Sequence, residues 1–230
     1  MKTIVTKKEY DEGLRYFMIN MYNHTAFGLL ISGLVAYYIY KFGLISTFMS
    51  GILGWIFIFA PLVMILFYSF MGQNWNVKTI TYFYYTFVTL LGISLSVVFT
   101  LYTTLSIAQV FFIAAATFAS ASIYGYTTKK DLTSMSNFLF TGLIGIIIAL
   151  IVNIFLQLPA VMFAISVIGV IVFIGLIAYD TQNAKNIYFS VRDSADSAKY
   201  GIVFALNLYL NFINLFQMLL NLIGELKENE

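Results

Sequence analysis

Asp180 is the acid whose position most invites chemistry. It stands in Ala-Tyr-Asp-Thr-Gln (Ala178–Gln182), at the end of an apolar stretch with no charged residue back to Asp131. A carboxylate within or beside a bilayer is costly. It usually faces the helix interior or a wet cavity, where it can meet a cation or a proton. The plainer alternative is an interfacial acid, hydrated at a helix end and paired with the nearby Lys185. A second pattern lies downstream. Asn207, Asn211, Asn214, Gln217 and Asn221 are spaced by 4, 3, 3 and 4. At about 100° per residue they cover roughly one third of a helix circumference. Amides facing lipid would be expensive, so this stripe is expected to point inward. There it would either hold helices together or line a polar path for ions or water. His24, in Met-Tyr-Asn-His-Thr, is the only histidine, and the chain has no cysteine. One imidazole without thiolates builds no ordinary zinc site. No nucleophile motif accompanies it, and no glycine-rich phosphate loop is present. His24, Asn153 and Gln217 are read as structural polar contacts. No firm metal site and no resident cofactor are expected; Asp180 is a weak candidate for a transient Ca2+ contact.

These residues sit in a very apolar chain. Of 230 residues, 61% are hydrophobic and 10% are charged, and the mean hydropathy is +0.89. Soluble domains carry roughly 25% charged residues. So few charges cannot cover a water-soluble sphere of this size, which excludes a soluble enzyme and a disordered chain. The net charge of +2 without a basic patch disfavours nucleic-acid binding. The first fifteen residues carry charge and no small-residue cleavage site, so no cleaved signal peptide is expected.

The charges fall in narrow zones and delimit an all-α membrane protein of seven spans. A helix needs about 20 apolar residues to cross. The expected spans are Tyr16–Tyr40, Leu44–Met71, Ile80–Tyr102, Ile107–Tyr126, Asn137–Leu156, Ala160–Asp180 and Ile202–Ile223. Residues 1–15 form a cytoplasmic tail, 16–224 the transmembrane domain, and 225–230 a short C-terminal tail. Pro61 lies inside the second span, where lipid tolerates a kink, and Pro159 suits the turn before the sixth. With the N-terminus in the cytoplasm, ten Lys and Arg fall on that side and only Lys41 and Lys227 on the other. This bias places the C-terminus outside. Six spans with a re-entrant segment is the competing count. Small residues at Gly28–Gly33, Gly142–Gly145 and Gly169–Gly175 are read as helix-packing positions. Lys129-Lys130-Asp131 is read as a positive anchor followed by a helix start at Asp131.

Several pieces, in order, carry a resemblance. They are Met-Tyr-Asn and Gly-Leu-Leu-Ile-Ser-Gly-Leu-Val-Ala-Tyr (within Met21–Tyr37), Tyr-Gly-Tyr-Thr-Thr-Lys-Lys-Asp-Leu (Tyr124–Leu132) and Asn-Ile-Phe (Asn153–Phe155). Tyr-Asp-Thr-Gln (Tyr179–Gln182) and Leu-Tyr-Leu-Asn-Phe-Ile-Asn-Leu-Phe (Leu208–Phe216) follow. Together they extend over nearly the whole chain, which resembles the Bax inhibitor-1 family, also called the transmembrane Bax inhibitor motif family, in its bacterial inner-membrane branch.

The resemblance implies a seven-helix bundle with the last helix central and a pH-sensitive calcium leak. It also implies an acid of the sixth helix paired with an acid of the seventh. Two close carboxylates share a proton and titrate as a unit. Asp180 matches the first acid, but Asn211 stands at the position of the second. The basic residue expected after the second span is also missing, with Gln73 and Asn74 in that region. An amide can donate to an ionised carboxylate, so Asn211 is expected to imitate a permanently protonated acid and to weaken pH gating. Asp180, Asn211, Asn214 and Asn207 are the candidate gate or ion-path residues. A second reading comes from bacterial relatives that look like partners or modulators of a membrane-bound ATP-dependent protease, a role the charged N-terminus would suit. An intramembrane hydrolase would need a Ser or an acid pair at depth, so no enzyme is expected.

Overall fold

The computed structural model describes residues 7–194 and 196–227, with the backbone alone for residues 7–11. Among these residues there are nine α-helices and no β-strand beyond an isolated bridge between Tyr102 and Leu226. The helices are α1 (Lys7–Lys41), α2 (Ile45–Met49), α3 (Gly51–Met71), α4 (Val77–Leu95), α5 (Val98–Leu101), α6 (Thr104–Thr127), α7 (Thr133–Leu156), α8 (Pro159–Val191) and α9 (Ser197–Ile223). A single 3-10 turn, Gly72–Asn74, follows α3.

Six helical segments among the described residues are long and apolar enough to cross a membrane: Gly51–Asn74, Val77–Leu101, Thr104–Thr127, Thr133–Leu156, Pro159–Val191 and Ser197–Ile223. At about 1.5 Å per residue, 24 residues extend over roughly 36 Å, beyond the ~30 Å hydrocarbon core. The exposed surface confirms an apolar solvent. Phe70 is 85% exposed, Phe155 82% and Ile52 79%. In water such patches would drive association; against lipid chains they are neutral. The chain is therefore a multi-pass membrane protein. α1 has the length to span at 35 residues, but Asn20, Asn23, His24 and Thr25 dilute its apolar run, so it is not among the six.

Local chemistry sets the breaks. Ser50 separates α2 from α3; its hydroxyl donates to the Ser46 carbonyl, and Gly51 adopts φ +59°. Pro61 is buried within α3, which continues through it. Asn76 caps α4 by accepting from the Thr79 N–H at 2.9 Å, and Thr103 caps α6 by accepting from Ser106 N–H at 3.2 Å. Side-chain oxygens at these positions satisfy donors that no helical carbonyl can reach. α1 begins at Lys7, so the expected tail boundary at residue 15 falls inside a helix; residues 1–6 and 228–230 lie outside the described residues.

The chain divides into two compact units. The first is Met1–Thr100 with Ala184–Leu206. Here α1 packs along α4, burying Met21, Ile80, Tyr84, Phe87 and Val88. A Cβ at Gly92 would press on the Ser32 backbone, so only glycine permits this approach. The second unit is Leu101–Asn183 with Asn207–Glu230. Its helices meet through small residues: Gly125 lies on the Ala178 carbonyl, Gly142 faces Val172, Gly175 faces Leu139, and Gly169 faces Met218. Gly33 and Gly145, in contrast, have open space around the missing Cβ.

Candidate functional site

Asp180 lies in the second unit, and α8 runs on beyond it, past the expected end of the sixth span. The apolar run stops at Asp180, but the helix goes on to Val191. Hydropathy ends a span without ending a helix, because Gln, Ala and Lys continue helices well. Asp180 is only 7% exposed, so the reading of a hydrated acid at a helix end is corrected. Asn211 of α9 is 8% exposed, and its Nδ2 donates to Asp180 Oδ2 at 2.6 Å. At this length the contact lies at the short end of N–H···O hydrogen bonds.

Successive residues of α8 point outward about 100° apart, so the five residues around Asp180 reach several neighbours. Ala178 receives Gly125 of α6. The Tyr179 ring meets Phe140 of α7 edge-on, with centroids 6.0 Å apart. Asp180 takes Asn211 of α9. Thr181 is fully buried, and its hydroxyl has no hydrogen-bond partner among the described residues. Gln182 clamps the connection between α6 and α7: its Nε2 donates to the Lys130 carbonyl and its Oε1 accepts from the Leu132 N–H, both at 2.8 Å. Between those two residues, Asp131 accepts from the Thr133 N–H at 2.9 Å; α7 starts at Thr133, two residues after the expected start at Asp131. That hydrogen bond holds the Asp131 carboxyl below its ordinary pKa. The Tyr-Asp-Thr-Gln and Lys-Lys-Asp-Leu segments are thus one structural assembly. Sequence reasoning missed the part played by Gln182; a long amide two residues after the buried acid was the available signal.

The amide stripe, expected to point inward, is divided in depth. The positions around it on α9 are the enclosed ones: Ala205, Leu208, Tyr209 and Leu215 are fully buried. Of the five amides only Asn211 is buried, while Asn207, Asn214 and Gln217 are half-buried and Asn221 is exposed. Asn214 Nδ2 donates to the Leu210 carbonyl of its own helix at 2.9 Å. Asn221 Oδ1 accepts from the Tyr102 hydroxyl at 3.0 Å. There the residues after α9 fold back: Thr103 N–H donates to the Glu225 carbonyl, Lys227 N–H to the Leu101 carbonyl, and Glu225 N–H to Ser106 Oγ. Asn207 and Gln217 make no side-chain hydrogen bond among the described residues. Bulky apolar side chains elsewhere on α9 find partners, which leaves the amide side as the less filled one.

The remaining candidates make contacts of their own. His24 Nδ1 is hydrogen-bonded to the Tyr85 hydroxyl at 2.9 Å within the first unit, and Tyr84 donates to the His24 carbonyl at 2.7 Å. Asn153 Oδ1 accepts from the Leu158 N–H at 3.1 Å, closing the turn between α7 and α8 where Gln157 adopts φ 51°. No group of three His, Cys, Asp or Glu gathers into a metal cage among the described residues.

Comparison with known proteins shows the family. Residues 14–228 match the family described as "Inhibitor of apoptosis-promoting Bax1". An uncharacterized protein of Caulobacter vibrioides is 43% identical over 95% of this chain and 92% of its own length. The "Inner membrane protein YbhL" of Escherichia coli is 41% identical over 92% of each chain. An "Uncharacterized membrane protein" of Streptococcus pyogenes is 30% identical over 97% of this chain and 99% of its own length. With a match over nearly the full chain, the protein belongs to the Bax inhibitor-1 family.

Proposed function

We propose that this protein is a cation leak of the Bax inhibitor type in a bacterial inner membrane, with calcium as its cargo and the contact between α8 and α9 as its latch. The observation that carries the reading is the Asn211–Asp180 hydrogen bond at 2.6 Å between two buried side chains. In this reading α1 is the seventh span, the N-terminus lies in the cytoplasm and the C-terminus outside. The enclosure of α9 supports a central place for it: 67% of its most apolar stretch is buried, against 11–39% for the other five candidate spans. The half-buried amides of Asn207, Asn214 and Gln217 supply polar lining, and Asp180 supplies a transient oxygen contact. A single carboxylate is far short of the six to eight oxygens of a calcium cage, which suits passage rather than storage.

The amide sets the pH response. With two acids, a shared proton would hold the helices together and its loss would part them. Asn211 keeps its donor hydrogens at every physiological pH, so the latch persists at neutral pH and the leak varies little with pH. The test uses purified protein in liposomes that hold a calcium dye, read between about pH 5 and pH 8, a range in which carboxylate pairs titrate. The parent should leak with a shallow pH profile, Asp180→Ala should change the rate, and Asn211→Asp should introduce a steep profile. A folded parent with no flux above empty liposomes overturns the leak. An unchanged profile in Asn211→Asp overturns the latch.

A further inference from the structure

We propose that the hollow between the end of α3 and the start of α9, in the first unit, holds the phosphate headgroup of an anionic phospholipid. The hollow encloses about 530 Å³, and Tyr68, Ser69, Gly72, Gln73, Lys199 and Tyr200 line it. Its lining carries one charge, the Lys199 ammonium, and no carboxylate. Lys199 Nζ donates to the Gln73 carbonyl at 2.5 Å. That bond uses one of three donors and fixes the ammonium in place; the other two N–H groups remain for an anion. Tyr68 and Tyr200 stand in the same lining. Lys199 also puts a positive charge beside Gln73 and Asn74, the region where the second span ends without a basic residue of its own.

Depth and shape favour a lipid. The hollow lies where the apolar segment Gly51–Asn74 gives way to Gln73-Asn74-Trp75-Asn76. Trp75 packs against Tyr68 and Phe83, with ring centroids 5.8 and 5.1 Å apart. Trp and Tyr gather at headgroup level because one end of each ring is apolar and the other wet. Below it, Leu62, Leu66, Ser69 and Gln73 are spaced by 4, 3 and 4 and so share one face of α3. Leu62 and Leu66 are exposed, giving an acyl chain an apolar track that leads to the cation. A Cβ at Gly72 would meet the Tyr68 ring that walls the hollow, so a larger residue there would displace that ring. A basic pocket at the membrane edge beside an exposed apolar helix face is the form in which proteins hold acidic lipid heads.

The chain has two tryptophans, Trp55 and Trp75, so a Trp55→Phe background leaves Trp75 as the reporter. Nanodiscs of phosphatidylcholine are doped with brominated-chain phosphatidylglycerol or, at the same fraction, brominated-chain phosphatidylcholine, whose bromines quench a tryptophan they touch. Phosphatidylglycerol should be enriched about fivefold at Trp75, the ratio that one well-placed cation supplies. Lys199→Gln should abolish the preference and Lys199→Arg should keep it. In the parent, about 1 M salt, where the Debye length is about 3 Å, should weaken it. Equal quenching by the two lipids in the parent overturns the proposal. So does a preference that survives both Lys199→Gln and high salt. Should inorganic phosphate remove the preference at matched ionic strength, the site recognises the free ion and the lipid assignment falls.

Discussion

The polar clusters around His24 in the first unit and around Asp180 in the second are satisfied in different ways. Around His24 the named groups are uncharged hydroxyls, an imidazole and carbonyls. Tyr85 bonds the ring, Tyr84 bonds the His24 carbonyl, and Thr25 donates to the Met21 carbonyl at 3.0 Å, with a longer contact to Ala205. Around Asp180 a single carboxylate depends on a single side-chain donor. In the first cluster the load is spread, and losing one group costs one ordinary hydrogen bond. In the second it is concentrated, and losing the donor leaves a buried acid without its partner. Spread polar contacts are those of a joint; a concentrated one has the form of a latch, which a small chemical change can release.

The largest expected effect tests that difference. Asn211→Leu removes the donor and encloses the carboxyl in apolar side chains, and leaving a buried acceptor unsatisfied costs about 1–3 kcal/mol, more where the group is charged. Asp180→Leu combined with Asn211→Leu should recover much of that loss, because the charge is removed with its donor. Thermal unfolding of both variants in detergent, at constant pH, measures it. If the double variant is no more stable than Asn211→Leu alone, the carboxylate is not the source of the cost.

Gln182→Ala comes next. It gives up two hydrogen bonds to the backbone around Asp131, each worth about 1 kcal/mol. It should also speed hydrogen exchange at the Leu132 amide, which reads the clamp directly. Exchange at Leu132 unchanged from the parent would mean that the connection between α6 and α7 holds itself. Tyr85→Phe should cost least of the three, about 1 kcal/mol or less for one neutral, half-buried bond. A loss from Tyr85→Phe equal to that from Asn211→Leu would erase the contrast between the clusters.

Much of the fold is legible in the sequence because span boundaries follow from where charges stop. The expected fourth and fifth spans, Ile107–Tyr126 and Asn137–Leu156, fall within α6 and α7 to a few residues. What hydropathy misses is helix that leaves the apolar zone, as α8 does for eleven residues beyond Asp180. Also illegible is a break set by one residue's backbone, as at Ser50 and Gly51. For the candidate site, Asp180 stands out by charge alone, and its pairing with Asn211 comes from the resemblance rather than from spacing. Gln182 escapes because its partners are backbone atoms 50 and 52 residues away; side-chain type cannot announce a contact with a carbonyl and an N–H. The period of the amides in α9 locates a face but not its depth, and so it cannot separate buried Asn211 from exposed Asn221.

Asp131 offers the smallest and most specific test, because it is an acid at the opposite extreme from Asp180. It is fully exposed, and the Thr133 N–H holds its pKa below the ordinary value. A carboxyl whose pKa is lower in the folded chain stabilises that chain at any pH above its unfolded value, and the contribution disappears as pH falls through the folded one. The window therefore opens near pH 4 and extends downward. The side-chain amide introduced by Asp131→Asn would still offer an oxygen to the Thr133 N–H, but it cannot titrate. The gap in unfolding temperature between parent and variant should then be constant at neutral pH and shift against the parent below about pH 4. Other carboxylates titrate in both proteins and cancel in the difference. A gap that stays constant down to about pH 3 would show that the bond at the start of α7 does not depend on charge.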